Sequence, residues 1–483
     1  MINDKYEVVI GLEVHAQLLT KSKLFSGDSI SFGGAPNTHV SPVSLAHPGT
    51  LPVMNKEVIA LAVKLGIALN CHIEQHNYFA RKNYFYPDLP KGYQTSQDAT
   101  PICKAGFLTI QTTTGNKNVK LNRIHMEEDA GKSIHDLFEN YTAIDLNRAG
   151  TPLLEIVTEP DLSSAEEAFN YITALRKLVR WLDVCDGNME EGSLRCDANI
   201  SVRLKGETKL GTRVEVKNLN SIRNVKKAIE IEVDRLIAIV ESGEKVKQET
   251  RSFNADDNTT FSLRSKEDAD DYRYFPEPDL PPFNITEEYI STIKNNMPEL
   301  PAVLQEKYIN QHGLTTYDAA RVCDDKEDAF LYENLSAITG NYKTSANWVT
   351  GPIKKYCNEN NCSIKDFPLD VSQIVALIQF TESGKVHYNI ASTKLMYAML
   401  NDLRASPETL TASMNLLQEN NTVALENWVI ETLLSMPEKV KEYRSGKKGL
   451  IGLFAGQVKK LSKGKADMEL VTKILEEKLA MGS

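Results

Sequence analysis

Polar and apolar positions alternate from the start of the chain. In Tyr6–Leu18, Val8, Ile10, Leu12 and Val14 fall on one side of an extended segment, which predicts a strand. Glu13 and His15 share the opposite side, and a Glu-x-His pair on one face is a platform for a metal ion or a phosphate. A stretch rich in Ser, Gly, Pro and Asn at 22–54 reads as loop. Asn55 is placed to cap a helix over Lys56–Leu69, with Val58, Ile59, Ala62, Val63 and Leu65 toward the core. Arg81–Gln94 mixes aromatics, prolines and cations in neither period and reads as an ordered loop lining a cleft.

A strand ending at Met126 precedes Glu127-Glu128-Asp129, and Asp145–Val157 reads as strand, turn and strand. Ser163-x-x-Glu166 predicts a capping box opening a helix with Phe169, Ile172, Leu175, Val179 and Leu182 inward. Ser193–Arg203 and Thr212–Asn218 alternate again, as antiparallel neighbours whose polar faces carry Asp197, Glu215 and Lys217. Glu13, His15, Glu128, Asp197 and Glu215 would then line the open face of one sheet. A helix over Ile222–Glu241 follows, then the proline-rich string Asp270–Pro282, a domain edge near residue 290. Beyond it the period is helical at 290–294, 300–312, 317–338 and 346–358, with a second break at Arg404–Pro407. The fold class expected is α+β: a mixed or antiparallel sheet with helices, then helices alone.

A chain of 483 residues exceeds one ordinary core, so two or three domains are expected. No run of about 18 apolar residues and no N-terminal signal stands out, which predicts a cytoplasmic protein with no membrane partner. Seven scattered cysteines without a CxxC pair exclude a disulfide framework and a cysteine-rich zinc site. The net charge of -10 excludes a general nucleic-acid binder, yet Lys439–Lys465 holds nine cations against Glu442 alone. Lys447, Lys448, Lys459, Lys460, Lys463 and Lys465 lie in this patch, which predicts a defined nucleic-acid contact.

The densest chemistry lies in His125–Ser133. Gly131-Lys132-Ser133 resembles the end of a phosphate loop, but the glycine such a loop needs five positions earlier is Met126. What remains is a carboxylate cluster suited to a hard cation such as Mg2+. Because the strand is read as ending at Met126, alternation leaves open which of Glu127 and Glu128 faces the cation.

Six ordered motifs between Val9 and Asp279 carry a resemblance: Val9–His15, Arg81–Asp88, His125–Lys132, Asp145–Arg148, Glu190–Asn199 and Asp271–Asp279. Together they resemble the B subunit family of the aspartyl/glutamyl-tRNA(Asn/Gln) amidotransferases. The end of the chain is similar too, through Gly452–Val458 and Ser462–Asp467, whereas His387–Lys394 departs from the family pattern.

The resemblance implies a cradle domain over 1–292 that acts as an ATP- and Mg2+-dependent carboxylate kinase, an all-α helical domain over 293–404, and a YqeY-like tRNA-binding tail over 405–483. The activity implied is that of a carbon-nitrogen ligase with glutamine as amido donor, acting on mischarged Glu-tRNA(Gln) or Asp-tRNA(Asn). It places the metal on Glu13, His15, Glu128, Asp197 and Glu215, selecting Glu128 over Glu127, and puts Lys82 and Lys91 on the path of ammonia. Lys217, on alternation grounds, and Asn218 beside it are expected at the nucleotide. No Gly-Gly-Ser-Ser amidase run and no cysteine-histidine glutaminase pairing is visible, so an amidase-type A subunit must supply ammonia, with a small C subunit joining the two. The competing readings are a stand-alone carboxylate-amine ligase, which would need no basic tail, and a non-catalytic tRNA-binding scaffold, which would leave the acidic face without a counter-charge.

Overall fold

The computed structural model describes residues 5–265, 272–417 and 422–480; Asp270 and Asp271 of the expected linker lie outside the described residues. The chain forms two compact units, Met1–Leu300 and Pro301–Ser483. The helix Glu287–Asn295 packs on the helix Lys56–Ala68 and so groups with the first unit, which ends at Leu300.

The first unit is built on a ten-stranded mixed sheet. Its order is Thr259–Ser265, Glu249–Asn254, Val214–Leu219, Leu194–Leu204, Tyr6–Gln17, Pro152–Thr158, Gly115–Glu128, Cys103–Lys104 and His72–Ile73, with Phe107–Thr112 pairing to the long Gly115–Glu128 strand. Every pair is antiparallel except Val214–Leu219 with Glu249–Asn254, which the helix Ile222–Glu241 connects.

In the first strand Tyr6, Val8, Ile10, Leu12, Val14 and Ala16 are buried in one core with the helices Ala165–Trp181 and Ile222–Glu241. Period-two alternation leaves Glu13, His15 and Gln17 on the other face. The hydrophobic pattern is therefore what turns the acidic residues toward open space: a one-residue slip of register would bury Glu13 and expose Leu12.

Local signals place several elements. The Asn55 side chain accepts from Glu57 N at 3.0 Å and caps the first helix, and Ser221 caps Ile222–Glu241 in the same way. The N-cap is Ser164 and not the expected Ser163: Ser164 accepts from Glu167 N, and the Glu167 carboxylate accepts at 2.7 Å from Ser163 N, one residue before the cap, so the helix opens on a single-sided cap in place of the expected box. Two readings change. The strand expected to stop at Met126 continues through Glu128. The segment read as a loop is strand at both ends: Ala80–Asn83 pairs with Tyr93–Ser96 and with Arg273–Pro276 in a separate three-stranded sheet, and only residues 84–92 are loop. Its third strand comes from the far end of the unit's sequence, which local periodicity cannot register.

Gly131 explains the small residue in the acidic stretch. Its N–H donates to Asp88 O at 2.9 Å, and a Cβ there would stand 2.9 Å from Asp145 O and 3.0 Å from Asp88 O. Three backbone segments meet where only glycine fits. Lys132 then opens the hairpin Lys132–Phe138 with Tyr141–Asp145, opposite Asp145.

The second unit carries helices from Pro301–Asn310 to Met468–Ala480 and no named strand among the described residues. The expected helix over 317–338 is two, Thr316–Val322 and Lys326–Thr339. Leu425, Val429, Phe454, Val458, Val471 and Leu475 form a separate core among the last helices. No described helix is long and apolar enough to cross a membrane, and the seven cysteines are free.

Candidate active site on the open face of the sheet

Register decides which side chains meet. Across four neighbouring strands Arg195, His15, Glu155 and His125 stand in one row, and Asp197 pairs with Glu13 in the next. His15 Nε2 lies 3.8 Å from Glu13 Oε1, 3.7 Å from Glu127 Oε1 and 3.4 Å from Glu155 Oε2. His125 Nε2 lies 3.5 Å from Glu127 Oε2 and 3.4 Å from Glu155 Oε2. These separations exceed good hydrogen bonds. Donors about 2.1 Å from an ion at adjacent coordination positions stand roughly 3.0–3.4 Å apart; the two contacts of Glu155 at 3.4 Å reach that spacing and the other three are up to 0.4 Å wider. Glu13, His15 and Glu155, and likewise His125, Glu127 and Glu155, offer donor atoms within 4.8 Å of one another.

The charge balance supports the same conclusion. Glu127 and Glu155 are buried, and three converging carboxylates need a counter-charge. With protein groups alone the histidines supply it: burial would pull His125 down, but Glu155 and Glu127 push it up to about 9. Glu155, in turn, is held far below the usual carboxylate range by the two imidazoles, against the opposing effect of burial. Three carboxylates suit a hard cation such as Mg2+ or Mn2+, and the two imidazole nitrogens also suit a softer divalent ion such as Zn2+.

The five expected metal residues divide. Glu13 and His15 are in the cluster. Asp197 and Glu215 flank it and are held by Lys217, whose Nζ lies 2.7 Å from Asp197 Oδ2 and 3.0 Å from Glu215 Oε1. Burial opposes the Lys217 charge, but the two carboxylates raise its pKa. Glu128 points away: Glu127 faces the cluster, so the next residue must face the opposite side, where Glu128 Oε1 accepts from Thr95 N at 2.6 Å and pairs with Lys91. The structure thus puts Glu127 in this cluster and the expected Glu128 beside Lys91, because the strand runs two residues further than its periodicity suggested. The side chain of Asn218 lies outside the described residues.

Lys91 is buried, donates to Thr95 Oγ1 at 2.7 Å, and stacks its ammonium 3.8 Å from the Phe25 ring centroid and 4.8 Å from that of Tyr93. Burial lowers its pKa, with Glu128 opposing. It lines a cavity of about 180 Å3 with Phe25, His47, Tyr93, Thr95 and Glu277. Lys82 lies on the cluster side: burial lowers its pKa, but the charges of Glu127 and Glu155 raise it overall.

Asp129 completes the acidic run. It accepts from Gln17 Nε2 at 2.7 Å and Arg195 Nη2 at 2.9 Å, and Arg195 and Arg148 keep its carboxyl low despite burial. The sequence reading missed Glu127, Glu155 and His125 as cluster members. The signal for Glu155 was present as the lone charge inside the apolar run Pro152–Val157.

In the second unit Lys447, Lys448, Lys459, Lys460 and Lys463 are exposed and Lys465 is half-buried. Lys447 pairs with Glu442 at 3.0 Å, and Lys448 lies 4.3 Å from the Tyr443 ring centroid.

Residues 8–291 match the GatB/GatE catalytic domain, and residues 331–479 match the GatB domain. The chain is 47% identical over 477 residues to the B subunit of the aspartyl/glutamyl-tRNA(Asn/Gln) amidotransferase of Bdellovibrio bacteriovorus, covering 98% of this chain and 99% of that protein. It is 45% identical over 471 residues to the corresponding protein of Thermodesulfovibrio yellowstonii, covering 98% of each. It is 46% identical over 480 residues to that of Pseudomonas aeruginosa strain PAO1, covering 98% of this chain and 99% of that protein. The motifs and these similarities agree, and the chain belongs to the family of B subunits of the aspartyl/glutamyl-tRNA(Asn/Gln) amidotransferases.

Proposed function

We propose that the first unit transfers the terminal phosphoryl group of ATP to the side-chain carboxylate of glutamate or aspartate carried by tRNA(Gln) or tRNA(Asn). Ammonia then displaces the phosphate and leaves the amide. A free carboxylate is a poor acyl donor, and the mixed anhydride with phosphate is a good one. The observation that carries this reading is the convergence of Glu13, His15, His125, Glu127 and Glu155 on one sheet face.

Phosphoryl transfer asks a protein mainly for position and positive charge. A divalent cation, Mg2+ by family analogy, supplies that charge when bound, and the three carboxylates with the two imidazoles fit it. Lys82 and Lys217 bring fixed positive charge to two edges of the cluster, where they hold anionic oxygens in place. Asp129 locks Arg195 beside His15 and so keeps the row of side chains in register.

Lys91, Glu128 and Thr95 lie on the far side of the acidic strand and line or adjoin the small polar cavity. This arrangement suits the arrival of ammonia, a small polar molecule needing hydrogen-bond partners along its way. Ammonia is released from glutamine by an amidase-type A subunit in the cytoplasm, with a small C subunit holding the assembly together. The all-helical segment 301–404 links the kinase unit to a YqeY-like tail over 405–483 whose lysines hold tRNA phosphates.

The test is Glu127→Ala and Asp197→Ala in the purified complex. Both abolish ATP-dependent phosphate transfer, by loss of a cation ligand and of the lysine clamp respectively, while tRNA binding stays within about twofold. Full phosphate transfer in Glu127→Ala refutes the assignment.

A further inference from the structure

The small sheet over the cluster carries a second kind of surface. Lys82 pairs with Tyr274 on one side and Gln94 on the other, so these three side chains share a face, and Tyr84 and Tyr272, each just beyond the end of its strand, bring their rings to Lys82. The rings of Tyr84 and Tyr272 are 5.5 Å apart and tilted by 56°. Lys82 Nζ stands 4.6 Å from the Tyr272 centroid and 5.9 Å from that of Tyr84. Tyr272 and Tyr274 remain 45% and 38% exposed.

The opposite face of the same sheet is closed. Arg81 lies across Tyr93 at 4.4 Å and is bound by Glu277 at 2.7 Å and Asp279 at 3.0 Å. Internal charge pairs and stacking use up that side, whereas the tyrosine side keeps open ring surface around an ammonium with no carboxylate at ion-pair distance among the described residues. Open aromatic faces beside a cation are the combination that takes a nucleotide: the rings stack on the base and the cation meets its phosphate.

We propose that Tyr84, Tyr272 and Tyr274 form a stacking platform for an adenine ring, with Lys82 directed at the attached phosphate. This rests on the functional reading above, which brings two adenines to the site: that of ATP and that of the 3′-terminal adenosine bearing the amino acid. Both present the same chemistry to the platform. The platform is assembled from strands at opposite ends of the unit's sequence, Ala80–Asn83 and Arg273–Pro276, so binding ties the second of these to the cluster side of the unit.

The experiment uses the purified complex with Tyr272→Leu and Tyr84→Leu, and Tyr272→Phe as the variant that keeps the ring. KM is measured separately for ATP and for mischarged tRNA, and ATP binding is measured directly with a fluorescent ATP analogue. Loss of one stacked base raises the affected KM roughly 5-fold or more. A rise in the ATP KM with weaker analogue binding assigns the platform to ATP. A rise confined to the tRNA KM, abolished when the terminal adenosine is replaced, assigns it to the 3′ end. In either case Tyr272→Phe must stay within about twofold of the wild type. The proposal is overturned if both KM values are unchanged in both leucine variants, or if Tyr272→Phe loses as much as Tyr272→Leu, which would make the hydroxyl the working group. If the wild-type complex shows no ATP-dependent activation, the functional reading fails first and the platform with it.

Discussion

Replacing Lys91 with Met isolates the pair on the far side of the acidic strand. Methionine keeps most of the stem over Phe25 and Tyr93 and removes only the ammonium, so the change reports on charge and not on packing. Glu128 is left as a buried carboxylate whose remaining partner is Thr95 N at 2.6 Å. Breaking a buried ion pair from one side costs about 3–5 kcal/mol, and the surviving backbone hydrogen bond sets the expectation at the lower end, about 3 kcal/mol. Glu128→Gln in the same chain removes the stranded charge, and its amide oxygen still accepts from Thr95. The double variant should therefore be less destabilised than the sum of the singles, with a coupling of about 2 kcal/mol. Urea unfolding of the four chains of the cycle, followed by circular dichroism, measures this. Additivity within about 0.5 kcal/mol, or a Lys91→Met cost under about 1 kcal/mol, refutes the argument that the two groups neutralise each other in a dry environment. Functionally, Lys91→Met should slow glutamine-dependent amidation while ATP-dependent phosphorylation continues, because the cation cluster is on the other face.

Three further outcomes can be checked. Burial raises the Asp328 carboxyl to about 6, above its unfolded value near 4, with Lys354 opposing; its contribution to stability is thus fully present below about pH 4 and lost as pH rises through 6, costing roughly 3 kcal/mol at pH 7. Unfolding of the second unit should show this slope, and Asp328→Asn should flatten it; an unchanged slope refutes the assignment. Gly131→Ala drives a Cβ toward the Asp145 and Asp88 carbonyl oxygens and should cost about 1–3 kcal/mol by thermal unfolding, while Gly449→Ala, with open space around it, should be nearly neutral. Replacing Lys459, Lys460 and Lys463 together with Ala should weaken tRNA binding and lower the slope of log affinity against log salt by about 1 per lysine; an unchanged slope removes these residues from the interface.

The sequence by itself determined the first strand, its apolar side and the placing of Glu13 and His15 opposite that side, because a period of two is a local property. It also determined the N-cap at Asn55 and the helical character of the second half, each set within one or two turns of chain. Tertiary structure decided which carboxylates share a cation. Glu127 and Glu128 are chemically identical neighbours, and only the two extra residues of strand pairing with Pro152–Thr158 send one to the cluster and the other to Lys91. Glu155 enters because its strand lies between those of His15 and His125, and strand order is invisible to periodicity. The tyrosine face around Lys82 and the contact of three backbones at Gly131 arise the same way, from approaches between segments remote in the chain whose free energy comes from burial elsewhere in the sheet. Local pattern chooses the face of a strand, and packing of the whole sheet chooses its neighbours.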